Sequence, residues 1–574
     1  MRVLRPITNK KKTDEIKNNF FVFDIETTKL EPMQKNFVFG VIYGNNFVKV
    51  IKSVEEFQAE FKKKKYSKKF LFAHNAEFDL LGIYGNIYQN LDNSAVFNGK
   101  FISAKINDST FGDSLNIFPM SVAKIGDTIG LKKLDNDKVK NEGLSKKNIT
   151  EEDIEYCIRD CEIVYTALLR MFEKVGTIKL TIASLSMFDF RNKFLGDNLL
   201  YSELNDEFFE SYYGGRTEAF IMGDVDCDVY DINSLYPYAM SNMVFPDIKN
   251  LKKETMVDVK YFKYCLIRYE GLARVKVRHK EIYFGFLPYK SERLLFPVGE
   301  FWTTCNFNEL RFAFEKGVIE FIEVDYIVYG NAIDTPFRDF IITHYQERLN
   351  SVSELDKLIE KLKMNSLYGR FAMREKFTTT YYEQLPFEII EELQKFEKYY
   401  ELKVFSAERN DCFLVTENEK MKNSFFAIPT FSSYITSQAR IILLTALLEN
   451  ENNRVAYCDT DSIFLEKDFV GDVGIKLGQF KKENKKVIEI RGLKNYTKVE
   501  NGLIEEVIKG VSKRSVKTGD NEYEIQTYLK TKEALRRNKE AGQSNLKTKK
   551  LTFEYNKREV INGIETKPLK IFEV

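Results

Sequence analysis

The 574-residue chain is poor in groups that bind soft metals or staple a fold. It has three histidines, and its seven cysteines (157, 161, 227, 265, 305, 412 and 458) are scattered without a Cys-x-x-Cys pair. That spacing argues against a structural zinc site and offers no disulfide framework, so a reducing, intracellular setting is expected. No run of about 18 uninterrupted apolar residues occurs, and no membrane span is expected. The start, MRVLRPITNKKK, is basic but lacks the apolar segment of a signal peptide; it has no serine, and a short transit peptide stays open. Net charge is also scarce. At a formal +2, the chain has no global field for a polyanion, so a nucleic-acid partner would have to be met by local patches. One such patch is residues 511–574, with fifteen Lys/Arg against nine Asp/Glu; taken alone, it reads as a solvated helix face. Repeats of solenoid period and low-complexity tracts are missing too.

What is present is core-forming. The chain is 44% hydrophobic and 30% charged, and a length of this order suggests about four folding units. Aromatic and β-branched runs predict strands at 20–25, 70–73 and 228–232, the last ended by Pro237. Ile154, Ile158, Cys161, Val164, Leu168 and Phe172 have helical spacing, so 151–173 is a predicted helix with Thr150 and Asp153 as its capping box. Residues 353–372, 386–397 and 433–448 also read as helices, 260–330 as β-rich, and 456–465 as a hairpin. The irregular alternation predicts α+β or mixed sheets.

Carboxylates form two constellations. In the first, FVFDIETT puts Asp24 and Glu26 two apart on a strand, hence on one face. FAHNAEFD adds Asn75 and Asp79, and EYCIRDCE sets Tyr156 and Asp160 four apart on one helix face. Each piece alone reads as solvated surface or a helix-face hydrogen bond. Converging, the carboxylates suit two hard divalent cations, Mg²⁺ or Mn²⁺, which activate water against a phosphodiester. The ordered set D-x-E, N-x-x-x-D, Y-x-x-x-D resembles the 3′–5′ proofreading exonuclease of many DNA polymerases. The resemblance implies that Asp24, Glu26 and Asp160 bind metal, that Asp79 supports them and that Tyr156 orients the attacking water. It implies that Thr27, His74, Asn75, Phe78, Ser114 and Leu115 hold a single-stranded 3′ end. It also places a catalytic lysine within GLKKLD, at Lys133 in preference to Lys132.

In the second constellation, VYDINSLYPYAM carries Asp231 at a strand end. SELDKLIEKLKMNSLYGRFA aligns Lys357, Lys361, Asn365 and Tyr368 in one helical stripe, a wet face if read alone. AYCDTDSIFL sets Asp459 and Asp461 in a hairpin, where Asp otherwise marks a turn. DINSLYP, KLKMNSLYG and YCDTDS, in this order, resemble motifs A, B and C of family B DNA polymerases. The resemblance implies two more cations, held by Asp231, Asp461 and the Ile232 carbonyl, with Asp459 as a support. It sets Lys361, Lys357, Ser234 and Leu235 along a dNTP's phosphates and Tyr236 under its sugar. Asn365 and Tyr368 would bound the base-pair pocket.

SYYGGRTEAF (Tyr212, Gly214, Gly215) resembles the linker between the two activities, with glycine allowing backbone to approach DNA phosphates. GLKNYTK (Lys494, Tyr496) resembles a primer-terminus motif. Compact length and spacing are most similar to the protein-primed replicases of linear phage and plasmid genomes. The expected architecture is α+β and multidomain: a ribonuclease-H-like exonuclease domain plus a right-hand polymerase domain with two insertions. Expected boundaries are exonuclease 1–190, palm 191–259 and 425–525, insertions 260–335 and 378–424, fingers 336–377 and a DNA-touching thumb 526–574. The expected partners are primer–template DNA, dNTPs and a terminal-protein primer for a monomer working inside a cell, in host cytoplasm if viral. Competing readings are a polymerase of this family without a terminal protein, an inactive DNA-binding replication factor, and a nuclease alone, which leaves 228–500 unexplained.

Overall fold

A computed structural model describes residues 1–8, 13–87, 91–97, 100–135, 144, 146, 148–384, 401–405, 413–424, 426–511, 515–519, 521–536, 539–551 and 555–573. Near the N-terminus, the strand Phe20–Thr27 lies inside a seven-stranded mixed sheet, antiparallel to Phe37–Gly44 and parallel to Phe70–Ala73. Both of its faces are covered, which is why FFVFDIET is apolar at nearly every position instead of alternating. The helix Glu151–Val175 covers one face. It starts on the Thr150/Asp153 capping box and stops at Gly176, whose φ of 81° only glycine adopts freely. Phe20 stacks on Tyr165 of this helix at 4.6 Å.

A second seven-stranded sheet is wholly antiparallel, in the order Thr217–Ala219, Val455–Asp459, Ser462–Leu465, Gly223–Ile232, Phe480–Gly492, Asn495–Glu500, Leu503–Ile508. The strand expected at 228–232 begins at Gly223, because Asp226 and Asp228 point outward to Lys486 and Lys482 of the neighbouring strand. The helix Pro429–Glu449 crosses beneath, starting with proline in its first turn. By length and composition it would span a membrane, but 72% of that window is buried inside the protein, so it is a core helix.

A five-stranded sheet is built mainly from Glu270–His279, Val298–Asn306 and Ile319–Gly330. It recruits Lys252–Thr255 from before residue 260 and Lys570–Phe572 from the far C-terminus. The helical hairpin Arg338–Asn350 and Glu354–Phe371 packs against the helix Ile182–Lys193. Three strands, Arg374–Gln384, Phe413–Asn423 and Glu401–Phe405, form a small antiparallel sheet; the helix expected at 386–397 lies outside the described residues. Several expected boundaries fall inside elements. Residues 190/191 divide the helix Ile182–Lys193, 377/378 the strand Arg374–Gln384, and 525/526 the strand Glu522–Tyr528. Motif spacing marks chemistry, not the points where a chain changes sheet. The six described cysteines are free thiols.

Candidate active sites

The antiparallel sheet brings the second constellation together. Asp231 ends its strand opposite Ser462, and the Ile232 N–H donates to the Asp461 carbonyl at 2.7 Å, so Asp231 and Asp461 are neighbours. Period-two strand spacing does not produce this. Asp461 lies outside both strands, Thr460 has φ +63°, and the Asp461 N–H donates to the Asp459 carbonyl at 2.7 Å. A tight γ-type turn therefore presents the two aspartates. Their surroundings differ. Asp459 accepts from Thr217 Oγ1 at 3.0 Å and pairs with Lys494 Nζ at 3.0 Å. Asp231 is pushed up to about 7 by burial and then by Asp461 and Glu483, with Lys485 and Lys361 opposing. Burial, followed by Asp459, likewise raises Asp461. Two half-buried, mutually repelling oxygen donors fit hard divalent cations.

Around this pair, Tyr236 stacks on Tyr368 at 4.6 Å and 26°. Ser234, at φ 56°, accepts from Arg348 Nη1 at 3.3 Å. Leu235 is 1% exposed, which leaves only its backbone to meet a ligand. The helix Glu354–Phe371 buries Leu355, Ile359 and Leu367 and leaves Lys361 exposed beside half-buried Asn365 and Tyr368. Lys357 pairs with Glu354 at 2.7 Å. Tyr496 packs edge-on to Phe464 at 5.3 Å, and Lys494, at φ 52°, donates its N–H to the Tyr457 hydroxyl at 3.0 Å.

Gly215 and Gly214 differ in what surrounds them. A Cβ there would lie 2.8 Å from Thr460 Cγ2 and Oγ1, whereas one on Gly214 meets nothing within 4 Å. Gly215 thus makes room for the aspartate turn. Gly215→Ala is expected to cost about 1–3 kcal/mol in denaturant unfolding, with Gly214→Ala near neutral. Sequence reading also missed Arg440, 3% exposed, which pairs with Glu309 at 2.8 Å and donates to the Tyr213 and Gly214 carbonyls at 2.9 and 3.0 Å. Through those carbonyls it fixes the linker. As an isolated arginine on an apolar helix it carries no motif.

The mixed sheet assembles the first constellation. Asp24 and Glu26 share a face, and Asp160 reaches them from the helix one turn after Tyr156. Lys133 pairs with Asp160, and its Nζ lies 4.4 Å from the centre of the Tyr156 ring. Asp79 Oδ1 accepts from the Ile25 N–H at 3.1 Å and so braces the strand. Burial raises Asp24 to about 6, reinforced by Asp160 and countered by Lys133. Glu26 is raised by burial, Asp24 and Asp160. Asp160 Oδ1 is buried with no hydrogen-bond partner. An orphaned oxygen beside two crowded carboxylates fits a hard cation. Cys157 was not anticipated. Its Sγ lies 3.7 Å from Asp24 Oδ2, to which the thiol donates, and burial pushes the thiol well up.

Asp113, also missed, accepts from the Asn75 and Leu115 N–H groups at 3.0 and 2.9 Å and holds Asn75 at φ 75°. His74 is lowered to about 4 by burial, and its ring nitrogens meet Ser114 Oγ at 2.8 Å and the Met120 carbonyl at 2.7 Å. It holds this loop and has no ring nitrogen left for a nucleic acid. Thr27 is buried and donates to the Lys29 carbonyl. Phe78 packs edge-on to Tyr528 at 5.5 Å.

A mixed-sheet carboxylate domain joined to an antiparallel palm with helical fingers defines the exonuclease-plus-right-hand class of polymerase fold. Residues 128–462 match the model of DNA polymerase type B, organellar and viral, and the chain belongs to that family. It is 29% identical over 399 residues to a probable DNA polymerase of Podospora anserina, covering 61% of this chain and 32% of that one. It is 27% identical over 408 residues to the DNA-directed DNA polymerase of Enterobacteria phage PRD1, covering 68% of this chain and 66% of that one. The match thus spans a third of the fungal relative and just under two thirds of the phage one. Among solved structures, phi29 DNA polymerase complexed with primer-template DNA superposes with a TM-score of 0.70 at 19% identity, covering 93% of this chain and 100% of that one. At that identity the likeness concerns the fold.

Proposed function

We propose that this chain is a DNA-directed DNA polymerase with a 3′–5′ proofreading exonuclease. The observation that carries it is the meeting of Asp231 and Asp461 at one turn, next to Tyr236 stacked on Tyr368. Asp231, Asp461 and the Ile232 carbonyl would hold Mg²⁺ or Mn²⁺, and Asp24, Glu26 and Asp160 a second set. Such ions supply an acidified hydroxyl or water and neutralise phosphate charge. The protein's own part is positioning and electrostatics. Lys361, and Lys357 once released from Glu354, face the triphosphate. Ser234 and the Leu235 backbone border it. Tyr236 lies where a 2′-hydroxyl would enter, which selects deoxynucleotides. Asn365 and Tyr368 bound the nascent pair, and Lys494 with Tyr496 receives the primer end. At the other site Tyr156 orients water, Lys133 holds Asp160, and Asn75, Phe78 and Leu115 meet the frayed 3′ end.

One labelled primer–template tests both activities. Asp24→Ala with Glu26→Ala is expected to reduce 3′ degradation about 10³-fold while dNTP incorporation continues. Unchanged degradation would move the exonuclease elsewhere.

The ordered motifs and the compact length support initiation on the hydroxyl of a terminal protein, by a monomer replicating a linear viral or plasmid genome inside a cell. The small sheet of Arg374–Gln384, Glu401–Phe405 and Phe413–Asn423 would promote strand displacement. Transfer of a labelled dNMP to a candidate terminal protein tests this; strict dependence on a nucleic-acid primer would sink it.

A further inference from the structure

The strand Thr217–Ala219 is the edge strand that holds the aspartate hairpin, pairing Thr217 with Asp459 and Ala219 with Tyr457. On its inner side Thr217 Oγ1 donates to Asp459 Oδ1 at 3.0 Å, and the Arg216 carbonyl accepts from the Thr460 N–H at 2.7 Å. Among the described residues its outer side has no further strand. Residues 555–566 replace one. The Ala219 N–H donates to the Tyr555 hydroxyl at 2.8 Å, Thr566 Oγ1 donates to the Ala219 carbonyl at 2.9 Å, and Lys557 Nζ donates to the Thr217 carbonyl at 3.0 Å. Below the strand, Glu218 lies between Arg216 and Arg558, all three 1% exposed. Arg558 is fixed in turn by the Thr566 hydroxyl at 2.9 Å and the Tyr283 carbonyl at 2.9 Å. An edge strand of three residues has little hold of its own, so its place depends on what saturates its outer side.

We propose that residues 555–566 are an outer clamp on the nucleotidyl-transfer site, with Tyr555 and Arg558 as positioning residues that act through Thr217–Ala219 on Asp459 and the Thr460 turn. The proposal goes beyond the polymerase reading and rests on it for the kinetic effect. It adds a role to a basic segment expected to touch duplex. A direct DNA role is the competing account, because Tyr555 and Lys557 border a groove shared with Arg491, Lys549 and Lys550.

The test uses the full chain with Tyr555→Phe, which removes one acceptor and keeps the ring, and with Arg558→Lys. Amide exchange of the 455–465 segment is followed without metal, primer–template affinity is measured in chelator, and steady-state incorporation is measured with Mg²⁺. A clamp predicts exchange at Thr460 and Asp461 faster by about tenfold. It also predicts kcat lower by about five- to tenfold with the dNTP KM and the DNA Kd within about twofold. Unchanged exchange overturns the proposal, whether Kd weakens, which would make the segment a DNA contact, or stays the same. Wild-type protein that incorporates no nucleotide would refute the polymerase reading, and the exchange measurement would still decide the clamp.

Discussion

Asp461→Asn is expected to incorporate dNTPs at about a thousandth of the wild-type rate or less, with primer–template affinity and fold retained. The substitution is nearly isosteric. The turn that presents residue 461 is held by backbone bonds, Asp461 N–H to the Asp459 carbonyl and Thr460 N–H to the Arg216 carbonyl, and survives it. What is lost is the charge that converges with Asp231. Asp459→Asn is the informative contrast. That carboxylate is already engaged by Thr217 and Lys494, so it braces the tip, and asparagine can still accept from Thr217. About tenfold loss is expected there. Single-turnover primer extension reads both, with circular dichroism as the folding control. Equal losses in the two variants would overturn the division of roles.

The pair of aspartates was legible in the sequence for a physical reason, and so was the limit of that reading. D-T-D in an apolar run is costly unless something compensates the charge, which singles out the residues whatever their exact geometry. The mechanism of presentation was not legible. A γ-type turn and a strand alternation share the same two-residue spacing, and only the positive φ of Thr460 separates them. The strands at 20–27 and 70–73 and the capped helix at 151–175 were readable because local pattern and tertiary burial agree there. The contacts made by Gly215, Asp113, Arg440 and Cys157 were missed because each acts on a partner far along the chain. Gly215 meets Thr460, Arg440 meets Tyr213, and Cys157 meets Asp24. The last strand, Lys570–Phe572, joins a sheet whose other members lie between 252 and 330, which no local pattern encodes.

Lys363→Met is expected to destabilise the protein by about 3–5 kcal/mol, read as a lower urea midpoint at pH 7. Lys363 is 1% exposed and pairs with Asp189 at 3.0 Å and Glu360 at 2.8 Å. His344 bridges the same two carboxylates, with Nε2 3.0 Å from Asp189 and Nδ1 2.8 Å from Glu360. Lys193 and Lys174 add pairs at 2.7 Å from the rim. Methionine fills nearly the same volume, so the loss measures uncompensated charge and not a cavity. The pH dependence has a definite sign. Burial alone would raise Asp189 and Glu360, but the hydrogen bond from His344 and the charge of Lys363 outweigh it and hold both well below the usual carboxylate range. Carboxylates depressed in the folded state contribute stability that is complete above about pH 5 and declines as pH falls through their unfolded values. Without Lys363 that depression shrinks, so the variant starts lower at pH 7 and loses less between about pH 5 and pH 3. Parallel acid profiles would show that Lys363 is not what holds the carboxylates down. The helix bearing Glu360 and Lys363 exposes Lys361 and carries Asn365 and Tyr368. The cluster therefore anchors the nucleotide-facing stripe to the helix Ile182–Lys193, and the variant's dNTP KM should rise along with its loss of stability.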